Sequence, residues 1–248
     1  MKTHLSLLLV SALSLLPIAR AQDWAFDGFE SNNFTGGSGA WTSSWIHGGG
    51  GGAFVNSGSV INETYSGALF TGGSGVQTLS RTFATLDTPG EQVGAVFSIS
   101  GLAGSFEIGV NFIGLKSNAS TTILTTKFTG GSSGFTLNDG GSDFVAAPAI
   151  TYANGAIYDI AFLGEIGSPD YTWAIQRRGG GNANNTFQYS AGATLSSFSE
   201  IQFFWNAPAG SGNDGLIDGV SIIPEPSSLL LGALAGLAAL LALRRRKG

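Results

Sequence analysis

The stretch Ser105-Phe106-Glu107-Ile108-Gly109-Val110-Asn111-Phe112 alternates apolar and polar or small side chains with a period of two. On an extended chain this puts Phe106, Ile108, Val110 and Phe112 on one face and Glu107, Gly109 and Asn111 on the other, one dry and one wet. The same pattern recurs at 158–162 and at 201–205, where Phe204 interrupts the polar face and is expected under a loop. Further strands are predicted at 24–29, 53–61, 76–83, 93–99, 121–128, 171–176, 186–189 and 216–222. Turn signals such as Asp139-Gly140-Gly141, Asn154-Gly155 and Asn213-Asp214-Gly215 separate them. Thirty-nine glycines and only 11% charged residues would suit a disordered chain, but 11% aromatics set in alternating runs predict a packed sheet protein. No amphipathic helix stands out between residues 22 and 224. The predicted fold class is therefore all-β, a two-sheet β-sandwich of jelly-roll type.

Both ends of the chain read as addresses. Lys2, an apolar run over 5–16 and Ala19-Arg20-Ala21 predict a signal peptide over 1–21, cut between Ala21 and Gln22. At the other end, Pro224-Glu225-Pro226 precedes residues 227–243, which carry no charge, and then Arg244-Arg245-Arg246-Lys247. Seventeen such residues make a helix of about 25 Å, enough for a transmembrane segment. The basic stop at its end is retained on the cytoplasmic side, so the body is exported. Two prolines around Glu225 are expected to keep the motif out of helix and sheet and leave it extended. These parts, in this order, closely resemble the PEP-CTERM sorting signal of bacterial exported proteins. The resemblance implies recognition and removal of the tail by an exosortase-type sorting enzyme, a transient stay in the inner membrane, and delivery to the cell surface or extracellular matrix. The expected division is a signal peptide at 1–21, a sandwich domain at 22–222 and the sorting signal at 223–248.

Of 11 cations only five lie within residues 22–224, against 15 of the 16 acids up to that point, a formal charge of −10 for the exported part. Such a surface repels nucleic acid and suits neutral glycans or divalent cations. The chain has no cysteine, so packing must supply what disulfides give many exported domains. His47 is the one histidine outside the signal, which argues against imidazole triads and multi-histidine zinc sites. GGSG occurs at 36–39 and 72–75, with GGSSG at 130–134. The unequal spacing argues against a repeat architecture.

Within the body, 26–31 and 214–222 resemble the terminal strands of concanavalin-like and galactose-binding-like jelly rolls, which usually pair. Gly219 stands where a polar residue often follows the aspartate. If these strands pair, Asp27, Glu30, Asp214 and Asp218 converge, and a structural calcium is possible there. Ordinary turn chemistry is the alternative, and no other cofactor is expected. For polysaccharide binding, Trp41, Trp45, Tyr171 and Trp173 are the candidate stacking residues, Trp41 and Trp45 being four apart and so on one face of an extended chain. Core packing competes for each of them. Arg177-Arg178 is the one paired cation site of the body, read as a solvated hairpin end or a contact to acidic polysaccharide. Glutamates are scattered, with Glu107 the best placed for a cleft. The sequence thus predicts a non-enzymatic exported surface or matrix protein with a candidate polysaccharide site. A glycan-active enzyme and a structural adhesin without a small ligand are the alternatives.

Overall fold

The computed structural model describes residues 25–29, 33–50, 52–56, 66–71, 75–101, 107–129, 135–146, 150, 153, 155–207 and 215–225. The strands are β1 (Ala25–Asp27), β2 (Ser38–Gly39), β3 (Ile46–Gly48), β4 (Gly52–Asn56), β5 (Ser66–Thr71), β6 (Gly75–Leu86), β7 (Gln92–Gly101) and β8 (Glu107–Lys116). They continue as β9 (Thr122–Thr129), β10 (Thr136–Asn138), β11 (Phe144–Val145), β12 (Ile157–Glu165), β13 (Asp170–Arg177), β14 (Asn182–Gln188), β15 (Leu195–Ala207) and β16 (Gly215–Glu225). One sheet runs β14-β13-β12-β7-β16-β1-β2, with β5 also on β16 and β4 beyond it. The other runs β11-β10-β9-β8-β15-β6-β3. Every pairing between these strands is antiparallel, so the all-β two-sheet expectation holds.

The alternating stretch is β8, and its faces are as the pattern requires: Ile108, Val110 and Phe112 are buried while Glu107 and Asn111 are half-buried. Phe106 lies outside the described residues. The inward residues of both sheets meet in a largely aromatic seam, in which Phe112 lies 4.7 Å from Phe162 and Phe97 lies 5.1 Å from Phe203, ring to ring. With no cysteine, this layer and two buried polar clusters tie the sheets together.

The first cluster is an ion pair between the sheets. Asp27 on β1 and Arg81 on β6 are both almost fully buried and bond directly. The carboxylate also accepts bonds from the Trp45 indole N–H (2.9 Å) and the Phe29 backbone N–H (2.7 Å). The guanidinium donates to the Ser43 carbonyl (2.9 Å) and the Gly36 carbonyl (2.8 Å), and lies 4.4 Å over the Trp41 ring. A side chain at Gly37 would press against the Phe26 carbonyl and Arg81, and its φ of +90° favours glycine there. Arg81 thus gathers residues 36–45 around itself. In the second cluster, the buried Lys116 ammonium donates to the carbonyls of Asp139 and Ile123. The Asp139 carboxylate accepts from Ser190 and from the Tyr171 hydroxyl (3.2 Å). Burial pushes the Lys116 pKa down, against the pull of Asp139.

β1 pairs with the final strand β16, as the terminal-strand resemblance implied. β16 changes partner along its length, meeting β5 at Gly215–Ile217 and β1 at Val220–Ile222. A bulge against β7 separates the two halves, and Gly219 sits in it with φ +58°. A left-handed residue is what such a bulge asks for, which explains glycine where a polar residue was expected.

Candidate functional site

The outer face of the seven-stranded sheet is built from the wet halves of the alternating strands. Direct cross-strand partners share a face, so the registers align Asn138, Thr125, Asn111, Gln202 and Ser80 in one row across β10, β9, β8, β15 and β6. At about 4.8 Å per strand the row is roughly 19 Å long. Its centre is pre-ordered: the Thr125 hydroxyl donates to the Asn111 carbonyl oxygen (2.7 Å) and the Asn111 amide donates to Gln202 (3.0 Å). In the next row Phe204, 8% exposed, lies over Gly109, where any Cβ would stand 2.5 Å from its ring. The neighbouring strand thus leaves room for the Phe204 ring at Gly109. Lys127 closes this side, 3.1 Å from Asp143 and 3.6 Å from Glu107. Bonds from Asn138 and then Lys127 hold the Asp143 carboxyl below its ordinary pKa.

The outer face of the nine-stranded sheet has a different character. Val96, Ala161, Ala174 and Asn184 form one row and Ser98, Asp159, Gln176 and Asn182 the next. All of these but the buried Ser98 line a shallow trough of about 340 Å³. Arg178 bonds to this lining, donating to Asp159 (2.7 Å) and also to the Ser98 hydroxyl (3.2 Å). It is thus an ion-paired residue rather than an open cation for acidic sugar. Burial disfavours the Asp159 charge, but the bonds from Arg178 and Ser98 outweigh it and hold the pKa below the ordinary carboxylate value. A depressed folded pKa means this contribution is complete above about pH 3.9, the unfolded value, and is lost as pH falls through the lower folded one.

Three of the four aromatic candidates for stacking lie in the core, and the fourth is partly covered. Tyr171 and Trp173 are fully buried in β13, Trp45 is 4% exposed, and Trp41 packs half-buried against Phe83 and Arg81. Trp41 and Trp45 do come together, 5.8 Å apart, with the buried Arg81 guanidinium over both rings. The alternation Tyr171, Trp173, Ile175 against Thr172, Ala174, Gln176 was the signal for the core side. Among the calcium candidates, Asp27 is engaged by Arg81, and Asp218, 1% exposed, accepts a bond from the Gly219 N–H. Glu30 and Asp214 lie outside the described residues. Among the described residues no group of three or more His, Cys, Asp or Glu side chains could hold a metal ion. The outward residues Asn111, Gln202, Asp159 and Gln176 were not singled out, since their grouping depends on strand pairing remote in sequence.

The sorting end begins inside the fold. β16 continues through Pro224 and Glu225, which pair with Val93 and Gln92 of β7. The expectation that the prolines exclude this segment from the sheet is corrected for Pro224. The described β1 pairs only as far as Ile222, and a strand's terminal residues tolerate a missing donor. In a chain without cysteine, Gln92→Cys with Glu225→Cys should therefore close a disulfide, because cross-strand partners meet the Cα separation of about 4.4–6.8 Å that the bond needs. Free thiols persisting after oxidation, counted by mass, would contradict this register. Pro226, the span 227–243, the basic stop and the signal with its Ala19, Ala21 and Gln22 lie outside the described residues. Among the described residues no helix is long and apolar enough to cross a membrane.

Residues 223–247 match the PEP-CTERM protein-sorting motif. The PEP-CTERM motif is that of exported proteins recognised by exosortase-type sorting enzymes. No curated protein matches the chain. Among solved structures, the globular domain of T. cruzi calreticulin aligns with a TM-score of 0.50 at 10% identity, over 82% of this chain and 95% of that one. The marine PL-14 alginate lyase from Aplysia kurodai aligns with a TM-score of 0.50 at 8% identity, over 70% of this chain and 87% of its own. Peanut lectin, solved with a nine-residue peptide, gives 0.48 at 8% identity over 74% and 98%. The likeness to the calreticulin domain and the alginate lyase is one of fold alone, a two-sheet β-sandwich ahead of the PEP-CTERM end.

Proposed function

We propose that the protein is a non-enzymatic component of the cell surface or extracellular matrix that binds neutral polysaccharide along the outer face of its seven-stranded sheet. The observation that carries this reading is the amide and hydroxyl row from Asn138 to Ser80. It offers donors and acceptors at strand spacing to the hydroxyls of an extended sugar chain, and the Asn111–Gln202–Thr125 bonds hold them in place before binding. Charge supports a neutral ligand. Four of the five cations of residues 22–224 already face acids: Arg81 with Asp27, Lys116 with Asp139, Lys127 with Glu107 and Asp143, and Arg178 with Asp159. An anionic chain would meet mostly carboxylates.

The glycan-active alternative draws on the alginate lyase fold and on Glu107, which lies on this face. Two observations favour binding without turnover. Glu107 is opposite Asn206, six residues along β15 from Glu200, so the two glutamates stand about 20 Å apart, far beyond the roughly 5–9.5 Å of a glycosidase pair. Asp143 is nearer, but the Lys127 ammonium stands between it and Glu107, and its pKa is lowered where a general acid needs a raised one.

The test is co-sedimentation of the exported protein with polysaccharide purified from the producing cells' own matrix, with reducing ends measured in the same tubes. Gln202→Ala should weaken binding up to about tenfold, the worth of one or two hydrogen bonds, with no reducing ends released by either protein. Wild-type binding unchanged in Gln202→Ala and Asn111→Ala would move the site elsewhere. Glycan cleavage lost in Glu107→Gln would make the protein an enzyme.

A further inference from the structure

The two outer faces of the sandwich point in opposite directions, and the one opposite the amide row is not plain. Along β7, β12, β13 and β14 two depressions lie end to end. The first is the trough of about 340 Å³ floored by Val96, Ala161 and Ala174. The second, of about 230 Å³, is lined by Leu163, Glu165, Asp170, Thr172 and Thr186 of the following rows. The floor of the first is apolar, made of the side chains of Val96, Ala161 and Ala174 at partly exposed positions. Its rim carries the amides of Gln176, Asn182 and Asn184. Beside Asp159 of its lining, three contacts from Arg178 (2.7, 2.9 and 3.2 Å) leave the charges matched to each other.

We propose that this face is a second glycan site, taking the ring of a neutral sugar, so that the protein bridges two polysaccharide chains, one on each face. The chemistry follows from the lining. A pyranose has an apolar side of C–H groups and a polar edge of hydroxyls. The Val96–Ala161–Ala174 floor matches the first, and the amides of Asn182, Asn184 and Gln176 match the second. The Arg178–Asp159 pair offers no unmatched charge to a uronic acid or a sulfated sugar. The polar second depression gives the next unit of the same chain hydroxyl partners in Thr172 and Thr186. The inference rests on the polysaccharide reading above and adds a valence to it.

Bridging is measured by light scattering when the exported protein is titrated into polysaccharide purified from the producing cells' matrix, alongside co-sedimentation on the same polysaccharide immobilised on beads. A bridging protein raises scattering to a maximum near equivalence and lets it fall in excess. Two variants address the trough: Ala161→Leu with Ala174→Leu, which fills it, and Asn184→Ala, a mild change on an exposed position of the edge strand β14. Both should still sediment on the beads through the opposite face while the scattering maximum drops about tenfold. Scattering by both variants equal to wild type overturns the proposal. So does wild type that sediments on the beads yet never scatters, a result that leaves the single-face polysaccharide reading standing. Failure of wild type to sediment removes both. The mass of the protein alone in solution separates bridging through two faces from bridging by self-association.

Discussion

Arg81→Ala should destabilise the domain by about 3–5 kcal/mol, the cost of leaving a buried carboxylate without its partner. The size follows from how many groups converge. Asp27 keeps the Trp45 and Phe29 N–H bonds but loses its counter-charge, and the carbonyls of Ser43 and Gly36 lose their donor. Trp41 loses the cation over its ring. Chemical denaturation of the exported domain reads this directly, and the double replacement Asp27→Asn with Arg81→Met should recover much of the loss, since an uncharged pair has no charge to strand. A loss under about 1 kcal/mol for Arg81→Ala would mean that water reaches Asp27 and that the pair does not bridge the sheets as described. Lysine is a poor substitute here, having no fork with which to reach Asp27, Ser43 and Gly36 together.

Replacing Pro224-Glu225-Pro226 by three alanines should abolish sorting while sparing the fold. The strand β16 needs only backbone from Pro224 and Glu225 to pair with Val93 and Gln92, and alanine supplies it. Stability should therefore change by no more than about 0.5–1 kcal/mol, within the range of ordinary surface substitutions. The replaced protein should fractionate with the inner membrane, tail intact, whereas wild type leaves it. If the alanine form is processed and released like wild type, the motif is not what the sorting enzyme reads. If it unfolds, β16 depends on Pro224 in a way that its place at the strand end does not suggest.

The period-two runs made the fold class legible, because a strand's dry face is written in its own residues. Phe112 and Trp205 declared themselves as core, and Asn111 as surface, without any knowledge of neighbours. The meeting of first and last strands was legible too, from 26–31 and 214–222. What escaped is what depends on strands distant in sequence. Asn111 and Gln202 share a hydrogen bond across 91 residues, and Ser98 and Asp159 across 61. No local pattern announces either. Asp139 looked like an ordinary turn residue beside Gly140 and Gly141, yet it is buried with Tyr171 and Ser190 around it. The tryptophans were ambiguous for a different reason. A large ring suits a sugar and a core equally, and in Trp41 and Trp45 the deciding partner, Arg81, comes from another strand.

Whether a processed sandwich reaches the matrix and holds polysaccharide there is read from the intact mass of the protein eluted from the producing cells' own matrix polysaccharide. The expected chain lacks residues 1–21 and the segment beyond the Pro224-Glu225-Pro226 motif and is recovered from the polysaccharide, not from the membrane. Recovery only from the membrane, with Ser227 to Gly248 still attached, would contradict it and reduce the tail to an anchor.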